Sequence, residues 1–223
     1  MLVLLGCAAF HAPGPLGQLG HEVPETAAQW IAAHSAAGAN SPNPPSSKAA
    51  APANARASDI VRAAKGFLGN PSLSVAGTAY RFDCSGLVEA SLAKAGIDES
   101  GSSAMLFDQA RERGVLHHRR TPKPGDIAFF DDTYDRDNNG KNDDALSHSA
   151  VVVGVAADGT IDLVHLGSKG VVHLTMNLRQ VSVHDADGTV LNDYLRAKSS
   201  RDADGTQYLA GELWAGFASF WIQ

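Results

Sequence analysis

The spacing of apolar positions changes period partway along the chain. Behind Ser58, a good N-cap, Ile60, Ala63, Ala64 and Phe67 recur at helical intervals, and Gly69-Asn70-Pro71 supplies a stop. A turn-rich segment to Tyr80 follows. A second helix is expected after Asp83-Cys84-Ser85-Gly86, where Leu87, Val88, Ala90, Ser91, Leu92 and Ala95 make an apolar face that ends at Gly96. Met105 to Arg113 predicts a third. Beyond it the apolar runs shorten to strand length: Asp126 to Phe130, Ser149 to Val155, Thr160 to His165 and Gly170 to Leu174, each β-branched or aromatic and bounded by Gly or Asp. Asp158-Gly159 between the second and third runs signals an antiparallel hairpin. From Tyr208 to Ile222, Leu209, Leu213, Trp214, Phe217, Phe220 and Trp221 are expected to close the core. Helices first and strands afterwards argue for an α+β domain over residues 58–223, with N-terminal helices packed on an antiparallel sheet.

Composition sets the preceding residues apart. Residues 11 to about 57 are rich in Ala, Pro, Gly, Ser and Asn, clearest at Ser41-Pro42-Asn43-Pro44-Pro45, and bury too little apolar surface to hold a fold. Residues 1–57 therefore read as a disordered tether, with a short helix over Glu25 to Ala33 as its one candidate element. With 223 residues, 44% of them hydrophobic, the chain can build one proper core, and it is expected to act as a monomer. Acidic residues outnumber basic ones 24 to 18, and no basic run extends beyond His117-His118-Arg119-Arg120, which excludes a nucleic-acid partner. No apolar stretch approaches the roughly 20 residues that span a bilayer. Leu4-Leu5-Gly6-Cys7 resembles the lipobox of bacterial lipoproteins, which implies export, a lipid anchor at Cys7 and a place in the cell envelope. The alternatives are secretion without lipid, and a Cys7 that is only a small residue in a terminal segment.

The two cysteines stand in very different contexts, which makes a disulfide between them the weaker reading. If Cys7 carries lipid, Cys84 is one unpaired thiol in an oxidising compartment. Its position at a helix N-terminus favours the thiolate, the form that attacks. On its own, a buried inert cysteine is the more ordinary interpretation.

The surrounding residues alter that balance. Phe82-Asp83-Cys84-Ser85-Gly86-Leu87-Val88, then Lys123-Pro124-Gly125-Asp126-Ile127-Ala128-Phe129-Phe130, then Ser147-His148-Ser149-Ala150-Val151-Val152-Val153 resemble, in order, three blocks of the NlpC-type cell-wall cysteine peptidases, a papain-like family. The resemblance runs from about Ile60 to Leu178. It implies hydrolysis of peptide or amide bonds in peptidoglycan stem peptides through an acyl-thioester, with no cofactor required. Cys84 would be the nucleophile, His148 the base and His165 the third residue orienting the imidazole. Tyr80, Asp83 and Ser85 flank the nucleophile as candidates for contacting substrate. Independently, His148 and His165 fall on the two arms of the expected hairpin, where adjacent strands can bring their rings together. Two other functions share these residues: a transacylase of the same fold, and a non-catalytic wall-binding module.

An acidic segment suggests a cation. Asp135-x-Asp137-x-Asn139-Gly140 resembles the opening of a calcium loop, with Lys141 at the position that offers a backbone carbonyl and Asp143 next in the alternation. Leu146 stands where the bidentate Glu belongs, so Asp143 or Asp144 would have to close the shell. A solvated acidic loop is the competing reading. Zinc is not expected, because no tightly spaced histidine pair is present among the nine histidines.

Overall fold

In the computed structural model, which describes residues 53–200 and 202–222, helix α1 spans Ala53–Gly66. It begins at Ala53 rather than at Ser58, carried by three alanines among its first five residues, the best helix formers. Ser58 caps nothing; its hydroxyl donates back to the Asn54 carbonyl at 2.9 Å, as serine does inside a helix. The expectations for residues 1–52, including the lipobox, Cys7 and the Glu25 to Ala33 helix, lie outside the described residues.

The segment expected to be turns holds a hairpin, β1 (Leu73–Val75) and β2 (Thr78–Tyr80). Its two-residue loop, Ala76-Gly77, has positive φ at both positions, the mirror-image turn that suits strand twist. Ala-Gly is a poor advertisement for that turn beside Asn-Gly, which is why the strands were not legible. Helices α2 (Cys84–Lys94) and α3 (Ser103–Glu112) follow, capped by Asp83 and Ser102. The remaining strands are β3 (Leu116–His117), β4 (Ile127–Phe130), β5 (His148–Val155), β6 (Thr160–Gly167), β7 (Gly170–Asn177) and β8 (Trp214–Ala218). A short helix α4 (Ala210–Leu213) precedes β8, and a 3₁₀ turn, Phe220–Ile222, follows it.

These six strands form one sheet in the order β3-β8-β4-β5-β6-β7, with every pair antiparallel. The C-terminal segment does more than cover the core: β8 inserts between β3 and β4. Alternation along β4 sorts side chains to two faces. Ile127 and Phe129 join Leu87, Leu92, Leu106 and the apolar face of α1, while Ala128 and Phe130 join Ile161, Leu163, Met176 and Phe217. Both faces are buried, so the strands read in sequence as continuous apolar runs. The α+β class, with helices packed on an antiparallel sheet, is the one expected.

The second sequence block fastens the chain here. Asp126 is 1% exposed and accepts hydrogen bonds from Ser219 Oγ at 2.6 Å, Trp221 Nε1 at 2.9 Å and the Lys123 amide at 2.7 Å. One carboxylate thus ties the end of the chain to the start of β4.

Candidate active site

Cys84 opens α2, and the sequence around it explains why the chain turns there. Asp83 is extended and its Oδ1 accepts the Gly86 amide at 2.7 Å, satisfying one of the unpaired donors of the first turn. Gly86 is needed for space: a Cβ there would run into the Arg81 carbonyl oxygen. Arg81 reaches across the same turn to Ser85 Oγ at 3.1 Å, Glu89 Oε1 at 2.8 Å and the Gly101 carbonyl at 2.9 Å. The buried Glu89 also accepts the Gly101 amide at 2.7 Å, so the loop before α3 is tied to the helix that carries the thiol.

His148 begins β5 and His165 lies near the end of β6. Their side chains meet, Nε2 of His148 to Nδ1 of His165, at 3.0 Å. His148 pairs with Phe130 across β4 and β5, and the two rings lie 6.0 Å apart. Both histidines are more than nine-tenths buried. Burial, and then repulsion from His165, push His148 from 6.5 to about 3. Burial likewise pushes His165 to about 4, partly opposed by the Asp193 carboxylate. Both rings are neutral at physiological pH. Gly167 makes room for this arrangement, since a Cβ at that position would sit 3.0 Å from Cε1 of His165.

Cys84, His148 and His165 line one cleft of about 750 Å³. Asp83 lines it as well. Ser85 is 4% exposed, its hydroxyl donating to Asp83 and accepting from Arg81, so the structure places it in support of the helix start. Tyr80 is half-buried against the helical side of the core and is not among the cleft residues. Two phenols line the cleft instead, Tyr194 and Tyr134, and Tyr134 comes from the insertion between β4 and β5. Burial, and then the charge of Cys84, push its hydroxyl pKa up. Phe82 and Tyr194 are the other exposed aromatic rings along the cleft. A lone tyrosine beside an acidic loop carries no sequence signal of this role, and Tyr194 lies beyond the last recognisable block.

The insertion is anchored next to His148. Thr133 Oγ1 meets Ser147 Oγ at 2.7 Å, and the Thr133 amide donates to the same oxygen at 3.0 Å. Within the loop, Asp135, Asp137 and Asp144 bring carboxylate oxygens within 4.8 Å of one another, a set that suits a hard cation. Asn139 lies beside this group, its amide nitrogen donating to Asp137 and Asp143 and its amide oxygen accepting from the Lys141 amide. Of the two carboxylates that could close such a shell, Asp144 belongs to this group and Asp143 does not.

Residues 74–166 match the family model of the CHAP domain. No curated protein matches the chain. Among solved structures, one described as similar to a lipoprotein of the NLP/P60 family, from Staphylococcus aureus subsp. aureus Mu50, is 22% identical with a TM-score of 0.37. That match covers 56% of this chain and 37% of the other, so the alignment spans little more than a third of that protein's length. No helix among the described residues is long and apolar enough to cross a membrane. The CHAP-domain match spans both Cys84 and His148. The residues matched to the CHAP-domain model take in all three ordered sequence blocks, those around Cys84, Asp126 and His148.

Proposed function

We propose that the protein is a cysteine hydrolase that cleaves peptide or amide bonds in peptidoglycan stem peptides. The observation that carries this reading is the meeting, in one cleft, of a thiol at a helix N-terminus with a buried pair of hydrogen-bonded imidazoles. Because Nε2 of His148 is engaged by His165, Nδ1 is the atom left to take the thiol proton. That requires the tautomer with hydrogen on Nε2, donated to Nδ1 of His165, which in turn places the His165 hydrogen on its own Nε2. His165 thus does for His148 what a carboxylate or amide does in other triads, fixing ring and tautomer without bringing a charge.

A desolvated imidazole is a weak base alone. Imidazolium at His148 becomes favourable only when an anion forms beside it, so proton transfer and thiolate formation are coupled. The Cys84 sulfur attacks the scissile carbonyl, and His148 then returns the proton to the departing amine. Water, activated by the same imidazole, releases the thioester. The backbone N–H of Cys84 is a candidate donor to the tetrahedral oxyanion. Calcium held by Asp135, Asp137 and Asp144 would stiffen the insertion that carries Tyr134 and ends at His148. Attachment through Cys7 would hold the domain at a membrane facing its substrate.

The test is digestion of purified peptidoglycan by the reduced protein and by its Cys84→Ala variant, with fragments identified by mass spectrometry. Release that requires Cys84 supports the hydrolase and names the bond. A new amide joined to an added amine would identify a transacylase. Binding to the wall without release, by folded protein, would sink the reading and favour a binding module.

A further inference from the structure

The mechanism above leaves one buried polar contact with the nucleophile unused. Ser103 Oγ lies 3.7 Å from Cys84 Sγ, within the longer reach of hydrogen bonds to sulfur. Ser103 is 5% exposed and is the first residue of α3; Ser102 before it is the cap, so the Ser103 side chain is not needed to satisfy the helix end. Its hydroxyl donates at 3.0 Å to Ser149 Oγ, which is fully buried on β5 next to His148. Cys84, Ser103 and Ser149 come from three separate elements and form a chain of polar atoms in a largely apolar interior.

We propose that Ser103 is a catalytic hydrogen-bond donor to the Cys84 thiolate. This rests on Cys84 being the nucleophile, as proposed above. A serine has one hydrogen and two lone pairs. With Cys84 as the thiol, the S–H can donate to Ser103 while the Ser103 hydrogen goes to Ser149. When His148 takes the thiol proton, the Ser103 hydrogen turns from Ser149 to the sulfur, and the anion gains a donor already in place. No covalent bond to Ser103 forms or breaks. The histidines are neutral at rest, so the α2 N-terminus and this hydroxyl are the groups in place before proton transfer, and the His148 imidazolium joins them once it holds the thiol proton. The titratable and charged groups around the thiol are His148, His165, Lys169, His173, Asp193 and Tyr194 along the cleft, Tyr134 from the insertion, Asp83 at the cap and Arg81 behind it. Among the described residues it is Ser103 that stands at hydrogen-bond distance from the sulfur.

The test is the pH dependence of Cys84 alkylation by iodoacetamide in the full-length protein, read on the Cys84 peptide by mass spectrometry so that Cys7 does not contribute. Losing a hydrogen bond to a charged group should move the alkylation midpoint of Ser103→Ala upward by about one pH unit, roughly a tenfold slower reaction at neutral pH. Ser149→Ala frees the Ser103 hydrogen for the sulfur, so its midpoint should stay at the wild-type value or fall. Two serines that merely pack would shift together. An unchanged midpoint in folded Ser103→Ala overturns the proposal, and so does a raised midpoint in Ser149→Ala, which can be read even if Ser103→Ala does not fold. Alkylation needs no substrate, so a protein that fails to cleave the wall would still report on Ser103.

Discussion

At the scale of single residues, the histidine pair makes a statement about stability as well as chemistry. Imidazole in the unfolded chain titrates near 6.5, and in the fold His148 and His165 are pushed to about 3 and about 4. As pH falls below 6.5 the unfolded chain takes up protons that the folded chain refuses, so the stability these groups contribute is present above 6.5 and is lost toward pH 3 to 4. Denaturant melts between pH 7 and pH 4 should show that loss, and His148→Phe should reduce its slope by about one proton. An equal pH dependence in that variant would contradict the buried neutral pair. Gly167 makes a second residue-scale prediction. In Gly167→Ala the new methyl displaces the His165 ring, misorienting His148, and should lower turnover by roughly ten- to a hundredfold. Alkylation of Cys84 at alkaline pH, where the thiol ionises without His148, should remain, because the thiol and its helix are untouched; comparing that rate with turnover in one preparation checks this.

At the scale of elements, the site depends on how three segments are fastened. The start of α2 is held by the Asp83 cap and by Arg81, the loop before α3 by Glu89, and the start of β4 by Asp126. Asp126→Ala removes the acceptor for Ser219, Trp221 and the Lys123 amide at a buried position. A cost of about 3 kcal/mol is expected, a fall of roughly 10 °C in Tm, with the cleft residues themselves unaltered. A thermal melt within a degree or two of wild type would mean that this carboxylate is not the fastening it looks to be. The same elements explain what could be read beforehand. Asp83, Cys84 and Gly86 announce a helix start because each has a local physical duty. The apolar runs of β4 to β7 announce strands by length and composition. β3 has only Leu116 and His117 to declare it and is a strand because β8 pairs with it, a contact between distant positions that no local pattern carries.

At the scale of the whole molecule, the cleft lies where the first and last thirds of the described chain meet the central strands. That is why its three candidate catalytic residues were legible and its walls were not. Cys84, His148 and His165 sit in motifs with fixed relations to a helix start and a hairpin. Tyr134, Asp193 and Tyr194 reach the cleft only through tertiary packing, and Ser103 meets the sulfur because the loop before α3 is held by Arg81 and Glu89. The acidic insertion was recognisable from its alternating Asp residues, whereas the participation of Asp144 depended on how the loop closes. If calcium occupies that group, the ion should stabilise the fold by about 2.7 kcal/mol at a hundred times its Kd. Asp135→Ala should abolish that gain, and a calcium-independent Tm in the wild-type protein would remove the ion from the account.

The central claim is that Cys84 and His148 together break amide bonds in the wall. The most direct measurement is the rate at which new amino termini appear in purified peptidoglycan treated with wild type, Cys84→Ala and His148→Ala at matched concentrations of folded, reduced protein. Both variants are expected to fall by about a thousandfold or more, and the double variant by no more than either, because the two residues act as a unit. Release by Cys84→Ala at the wild-type rate, or no release by the wild type itself, would contradict it.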